Sequence, residues 1–243
     1  MKIVQHGFGI VEFSEVININ QEYLASYINY LEQINPPHFD IVEENGKKFA
    51  LTKSGFKFNF EDIKDAPVRY NLLYKENKSL HFDFVQNIDK ALYGCLVEYC
   101  KIFPDAARTI WWKTQGHVAA YGPGQHIGPH SDSHIEFDFK NPALNQAPIH
   151  NTVSCGLYLN NSSDQPDNFS YSGGEMYFEQ ANYTFVPRQG SVIMYPSNYI
   201  GRHEVKPVTK GNRYVYLQFY SYGNPEGTPV QWMDTLNKDS LGA

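Results

Sequence analysis

The chain has 243 residues, with 20 Lys and Arg against 26 Asp and Glu, a formal charge of -6 and an isoelectric point near 5.8. This balance, with no Lys/Arg cluster, excludes the basic face expected of a nucleic-acid module, and no run of apolar residues is long enough to span a membrane. The start Met1 to Gly7 lacks the apolar core of a signal peptide before Glu12 and Glu15 intervene, so a soluble, cytoplasmic protein is expected.

Taken in order, Met1 to about Phe13 mixes β-branched and aromatic residues with Gly7 and Gly9, which predicts a short strand or hairpin. Apolar positions at helical spacing from Tyr23 to Leu31, with Asn20 able to cap, predict a helix that ends before Asn35-Pro36-Pro37. Asn45-Gly46 and Ser54-Gly55 read as turns between short strands. From Asp83 to Ile102 apolar residues recur every three or four positions, predicting the longest helix, capped by Asp83 and stopped by Pro104. These elements are expected to pack against the outside of a sheet supplied by the second half.

There the period changes. Val118 to Tyr121, Thr152 to Leu159, Gly174 to Phe178, Ser191 to Tyr195 and Tyr214 to Tyr220 are short strand-like runs separated by turn residues. A series of this kind implies a sandwich or barrel, and at this length one large β-rich domain is as natural as two small ones. The 15% aromatic content suits such a fold. Cys95, Cys100 and Cys155 form no C-x-x-C and are odd in number, so they are expected to be reduced core residues.

Between the first two of those strands lies Tyr121-Gly122-Pro123-Gly124-Gln125-His126-Ile127-Gly128-Pro129-His130-Ser131-Asp132. On a strand, residues i and i+2 share a face, which would aim His130 and Asp132 at one ion. Imidazole with carboxylate suits iron(II), manganese or zinc rather than a soft thiolate metal. The pattern alone is weak, since His38-x-Asp40, His81-x-Asp83 and His134-x-Glu136 also occur. What singles out His130 and Asp132 is a lone His203 far downstream, followed by Lys, Pro and Gly and then by Arg213 at the start of a strand.

His130-x-Asp132, His203 and Arg213, in that order and with Tyr121 nine residues before the first His, resemble the signature of the iron(II)- and 2-oxoglutarate-dependent oxygenases. Leu157-Tyr158-Leu159-Asn160, Gly173-Gly174-Glu175, Pro187-x-x-Gly190-Ser191 and His203-Glu204 with Pro207-Val208 extend the likeness to the prolyl 4-hydroxylase-like branch, from about Trp111 to Tyr222. The resemblance implies a mainly β fold with flanking α-helices, built on a double-stranded β-helix, or jelly-roll. It divides the chain, as one dioxygenase domain, into a support region at 1–105, a catalytic core at 106–223 and a C-terminal tail at 224–243. It also implies His130, Asp132 and His203 as ligands of Fe(2+), and Arg213 as partner of the distal carboxylate of 2-oxoglutarate. Tyr121 and Ser154 are implied as hydroxyl donors to the same cosubstrate, with dioxygen as co-reactant, ascorbate as reductant, and succinate and carbon dioxide as products. Where many relatives carry Lys this chain has Arg213, which preserves the charge; Lys206 and Lys210 are the reserve candidates.

The implied substrate is a proline-containing protein or peptide. Segments 133–150 and 160–171, and the aromatics Tyr171, Tyr183, Tyr199 and Trp112, are candidate lids and walls. A free amino acid handled by the same chemistry, and a non-catalytic cupin-like binding protein, stand as alternatives. Glu175 and Glu204 are expected to be structural or to support the ligands, and His126, His134 and His150 to be loop residues.

Overall fold

A computed structural model describes residues 1–34, 39–52, 57–71, 81–114, 116–133, 150–222 and 239–240. It opens with the expected hairpin, β1 (Lys2–Gly7) and β2 (Ile10–Ser14). Helix α1 (Gln21–Ile34) follows, its N-terminus closed by Asn20, whose side-chain oxygen accepts the Tyr23 amide at 2.9 Å. Leu24, Tyr27, Ile28 and Leu31 are its buried stripe. Strands β3 (Phe39–Glu44), β4 (Lys47–Thr52) and β5 (Lys57–Asn59) form a separate antiparallel sheet. Its first turn uses Asn45 and Gly46, both at positive φ as a two-residue hairpin turn requires. His38, the Pro36-Pro37 turn, Ser54-Gly55 and the side chain of Asp40 lie outside the described residues.

After α2 (Phe60–Ile63) and β6 (Val68–Asn71) comes the longest helix, α3 (Phe82–Ile102). The expected cap is corrected: His81 occupies the N-cap position without a side-chain cap bond, and Asp83 lies inside the first turn. There its charge faces the positive end of the helix. Phe103 breaks the helix, as the residue before a proline tends to do, and Pro104 then starts α4 (Pro104–Thr109) instead of only ending α3.

The remaining strands are β7 (Trp112–Lys113), β8 (His117–Tyr121), β9 (Ile127–His130), β10 (Asn151–Tyr158), β11 (Ser172–Gly173), β12 (Met176–Phe178) and β13 (Tyr183–Phe185). They are followed by β14 (Val192–Pro196), β15 (His203–Val205), β16 (Val208–Lys210) and β17 (Arg213–Ser221). A major antiparallel sheet runs β1-β2-β14-β10-β17-β8-β6, with β7 beside β17, and faces a smaller sheet ordered β13-β12-β15-β9. This is the double-stranded β-helix. The 1–105 region does not merely pack outside: β1, β2 and β6 are strands of the major sheet, because β14 and β8 offer it open edges.

Period-2 alternation gives the major sheet two different faces. Val11, Phe13, Val118, Val153, Cys155, Leu157, Val192, Met194 and Tyr216 pack against Leu31 of α1 and Ile88, Leu92 and Leu96 of α3. Each such side chain, fully buried, stabilises the fold by roughly 1.5–3 kcal/mol. The opposite face meets the smaller sheet through Ile10, Ala119, Tyr121, Tyr158, Ile193 and Val215 against Met176, Phe178, Phe185 and Val205. The three cysteines are free and buried, as expected. Among the described residues no helix is long and apolar enough to cross a membrane.

Candidate active site

Strands β9 and β15 are antiparallel neighbours in which His203 is the register partner of His130. Both imidazoles therefore leave the same face, with ring centroids 4.4 Å apart. Each ring is fixed in the same way: Nδ1 of His130 meets the Gly128 carbonyl at 2.8 Å, and Nδ1 of His203 meets that of Gly201 at 3.0 Å. A carbonyl accepts only, so these bonds place the proton on Nδ1 and leave Nε2 as the lone-pair donor.

Asp132 arrives differently from the sequence-based expectation. β9 stops at His130 and Asp132 sits in the bend beyond it, so the pleat does not aim the pair. Side chains aim it instead. The Asp132 Oδ2 atom accepts hydrogen bonds from Ser154 Oγ at 2.6 Å and from the Tyr195 hydroxyl at 3.0 Å, while Oδ1 stands 3.4 Å from His130 Nε2. One ligand atom from each of His130, Asp132 and His203 falls within 4.8 Å of the others, the only such His/Cys/Asp/Glu group among the described residues.

Burial alone would raise the Asp132 pKa, but His203, His130 and the Ser154 hydroxyl hold it well below the usual carboxylate range. Burial lowers the pKa of His203. A charged carboxylate beside a neutral imidazole is the protonation state a divalent metal needs.

On the same face of the major sheet, Arg213 is the register partner of Tyr121. Its side chain is 1% exposed. The guanidinium carbon lies 4.4 Å from the Tyr121 ring centre and 5.1 Å from that of Tyr158, and Nη2 donates to the Tyr158 hydroxyl at 3.2 Å. Nε and Nη1 make no hydrogen bond of acceptable geometry, and neither does the nearby Tyr171 hydroxyl. Burial raises the pKa of all three phenols, Tyr158 to about 12, so none is a counter-anion. A buried cation without its counter-charge is costly.

The Gly173-Gly174-Glu175 turn closes this pocket. Both glycines have positive φ, and a Cβ on Gly174 would come within 2.9 Å of Arg213 Cδ.

Several expectations are corrected by contacts. Ser154 gives its proton to Asp132 and leans on Ser197 at 2.8 Å, so it holds the ligand carboxylate and is not spare for a cosubstrate. Glu204 points away from the site and pairs with Lys206. Tyr171 belongs to the Arg213 pocket, and Tyr183 stacks on His6 and donates to Glu12 at 3.1 Å, so neither is a substrate wall. Tyr199 is exposed; the Trp112 side chain lies outside the described residues, as do His134, Glu136 and residues 134–149. Segment 160–171 is pinned: Asn160 Nδ2 donates to the Phe169 carbonyl at 3.2 Å and that of Asn212 at 2.7 Å.

His81 is a core histidine, its Nδ1 2.7 Å from the Tyr23 hydroxyl. His126 Nδ1 meets the Gly124 carbonyl, and His150 packs edge-on against Tyr222. Sequence reasoning missed Tyr158, Tyr195 and Ser197; the alternation Ser154-x-Gly156-x-Tyr158 on β10 was the signal that could have found the first.

Residues 116–221, which carry the whole constellation, match the 2OG-Fe(II) oxygenase superfamily. A "PKHD-type hydroxylase" of Sphingopyxis alaskensis is 31% identical over 123 residues, 50% of each chain, and another of Aliarcobacter butzleri is 35% identical over 98 residues, 39% of this chain and 38% of that one. The chain thus spans about half the length of these relatives, or less. Among solved structures, the viral collagen prolyl hydroxylase of Paramecium Bursaria Chlorella virus-1 is similar with a TM-score of 0.55 at 14% identity, covering 90% of this chain and 98% of that one. A Trichoplax adhaerens prolyl hydroxylase in complex with a hypoxia inducible factor peptide fragment is similar with a TM-score of 0.56 at 15% identity, over 88% and 84%. At these identities the likeness establishes the fold.

Proposed function

We propose that this chain, whose residues 116–221 form a domain of the 2OG-Fe(II) oxygenase superfamily, is an iron(II)- and 2-oxoglutarate-dependent dioxygenase that hydroxylates a C–H bond of a peptidyl proline. One observation carries the reading: on the sheet face that holds Asp132, the buried Arg213 leaves Nε and Nη1 unpartnered. That is an unmet demand for a carboxylate.

The residues fit both groups. His130, Asp132 and His203 offer two nitrogens and one oxygen, a donor set suited to iron(II), and leave other positions of an octahedral ion open. Arg213 would hold the distal carboxylate of 2-oxoglutarate through parallel N–H donors, with the hydroxyls of Tyr121 and Tyr171 beside it. When bound, iron(II) and 2-oxoglutarate supply dioxygen activation, with succinate and carbon dioxide released alongside the hydroxylated product. Ser154 and Tyr195 hold Asp132, the tyrosine-lined pocket excludes water from the cosubstrate carboxylate, and ascorbate serves as external reductant. The whole chain acts as one catalytic domain, with 1–105 bracing the core at 106–223. A peptide substrate is supported by the Trichoplax adhaerens structure, which holds a peptide fragment on a similar fold.

The test is to incubate the protein with iron(II), 2-oxoglutarate, ascorbate and a panel of proline-containing peptides and free proline, reading succinate release and addition of one oxygen by mass spectrometry. His203→Ala and Asp132→Ala are expected to abolish both. Arg213→Ala is expected to raise the Michaelis constant for 2-oxoglutarate several-hundredfold, since stranding one partner of a buried charge pair costs roughly 3–5 kcal/mol; Arg213→Lys should be milder. Full turnover by His203→Ala, or unchanged cosubstrate kinetics in Arg213→Ala, would sink the assignment.

A further inference from the structure

Of the three clustered residues, His130 and His203 stand on the paired strands β9 and β15, whereas Asp132 lies in the bend beyond β9. Outside a ladder, the backbone keeps one direction only where its polar groups find other partners. The peptide group between Asp132 and Ser133 finds two. Its carbonyl accepts from Asn151 Nδ2 at 3.2 Å, and its N–H, that of Ser133, donates to the Ser197 carbonyl at 2.7 Å. A peptide unit is planar, so holding both of its polar groups fixes its orientation and with it the direction in which the Asp132 side chain leaves the chain.

Both partners belong to the centre of the major sheet. Asn151 opens β10 and Ser197 directly follows β14. The Ser197 amide donates to the Thr152 carbonyl at 3.0 Å, which carries the β10-β14 ladder one step past its last register pair, Val153 with Pro196. The Asn151 amide is oriented in turn by β17, because its Oδ1 accepts from Ser221 Oγ at 2.8 Å. Nδ2, which only donates, is thereby turned to the Asp132 carbonyl, which only accepts. Asn151, Ser197 and Ser221 are all buried, where such bonds meet little competition from water. Ser154 and Tyr195, which hold the carboxylate itself, come from the same two strands, so the side chain and the peptide of Asp132 share one rigid base.

We propose that Asn151 is a positioning residue for the metal site: with the Ser197 carbonyl it clamps the peptide group after Asp132 and so holds that carboxylate against the two histidines. This rests on the ligand set of the oxygenase reading above. Asn151 touches neither substrate nor cosubstrate in this role, and acts only through Asp132.

The experiment reads metal binding apart from turnover. The protein, kept free of dioxygen, is titrated with Co(II), whose visible absorption reports both occupancy and ligand geometry. Asn151→Leu keeps the shape of the side chain and removes its donor; it is expected to weaken Co(II) binding about tenfold, within the range usual for a group that orients a ligand, and to alter the bound spectrum. The same change is then made in an Asp132→Ala background, where it should cost less than about twofold, because its effect passes through Asp132. Urea unfolding of each metal-free sample shows that it is folded. If Asn151→Leu does not fold, Ser221→Ala replaces it in both backgrounds: it removes only the bond that orients the Asn151 amide, and a loss of about threefold confined to the Asp132 background is expected. Unchanged Co(II) affinity and spectrum in the folded variant, or an equal loss in both backgrounds, would overturn the clamp. Unchanged affinity in Asp132→Ala alone would overturn the ligand set and the clamp with it. A loss confined to the Asp132 background, in a protein that releases no succinate with iron(II), 2-oxoglutarate, dioxygen and the peptide panel, would count against the oxygenase reading and leave the clamp standing.

Discussion

A single phenol links Asp132 and His203, two of the three proposed ligand residues. The Tyr195 hydroxyl donates to Asp132 Oδ2 at 3.0 Å and lies 3.3 Å from His203 Nε2, and Ser154 holds the same carboxylate oxygen from the other side. With Oδ2 accepting both of these hydrogen bonds, Oδ1 is the oxygen that would face a bound ion. Tyr195→Phe and Ser154→Ala are each expected to weaken Mn(II) binding about 10- to 100-fold, as loss of a group that orients a ligand commonly does. Calorimetric titration without dioxygen checks this; unchanged affinity in both variants would mean that the bend carrying Asp132 is rigid without them. The cluster of His130, Asp132 and His203 was legible in the sequence, since the residue types, order and spacing form a pattern. Tyr195 was not, because it is one of 18 tyrosines and only the pairing of β14 with β10 brings it to Asp132.

At the scale of elements, the turn between β11 and β12 shows how a backbone conformation serves a pocket. Gly174 has φ +69°, and its missing Cβ is what allows the Arg213 side chain to pass. Gly174→Ala is expected to lose roughly 1–2 kcal/mol from the left-handed backbone alone, and to raise the Michaelis constant for 2-oxoglutarate by displacing Arg213. Urea unfolding and cosubstrate kinetics on one sample separate the two effects; a variant with lower stability but unaltered kinetics would show that Arg213 tolerates the methyl group. Helices α1 and α3 were legible because a 3.6-residue period is local, and the β3-β4 turn because Asn45-Gly46 carries its own conformation. Long-range pairing was not. Nothing in Val68–Asn71 announces that β6 closes the edge of the major sheet, and nothing near Asp132 announces that its strand ends two residues early.

One face of the major sheet packs on the helices and the other carries the candidate site, and that second face holds buried groups that make stability depend on pH. The folded pKa of His117, about 4, lies below its ordinary value of 6.5. Between those values the unfolded chain takes up a proton that the folded chain refuses, so stability is full above pH 6.5 and falls as pH drops toward 4, by up to about 3 kcal/mol. His81 and His203, also lowered by burial, act in the same direction. His130 opposes them, since Asp132 raises its pKa against the effect of burial. Asp132, held low, loses its contribution only in more acid solution. The urea midpoint of the metal-free protein should therefore fall between pH 7 and about pH 5, and His117→Gln should flatten that fall. A level or rising midpoint, or a variant as steep as the parent, would show that burial of the neutral His117 ring does not set the pH dependence.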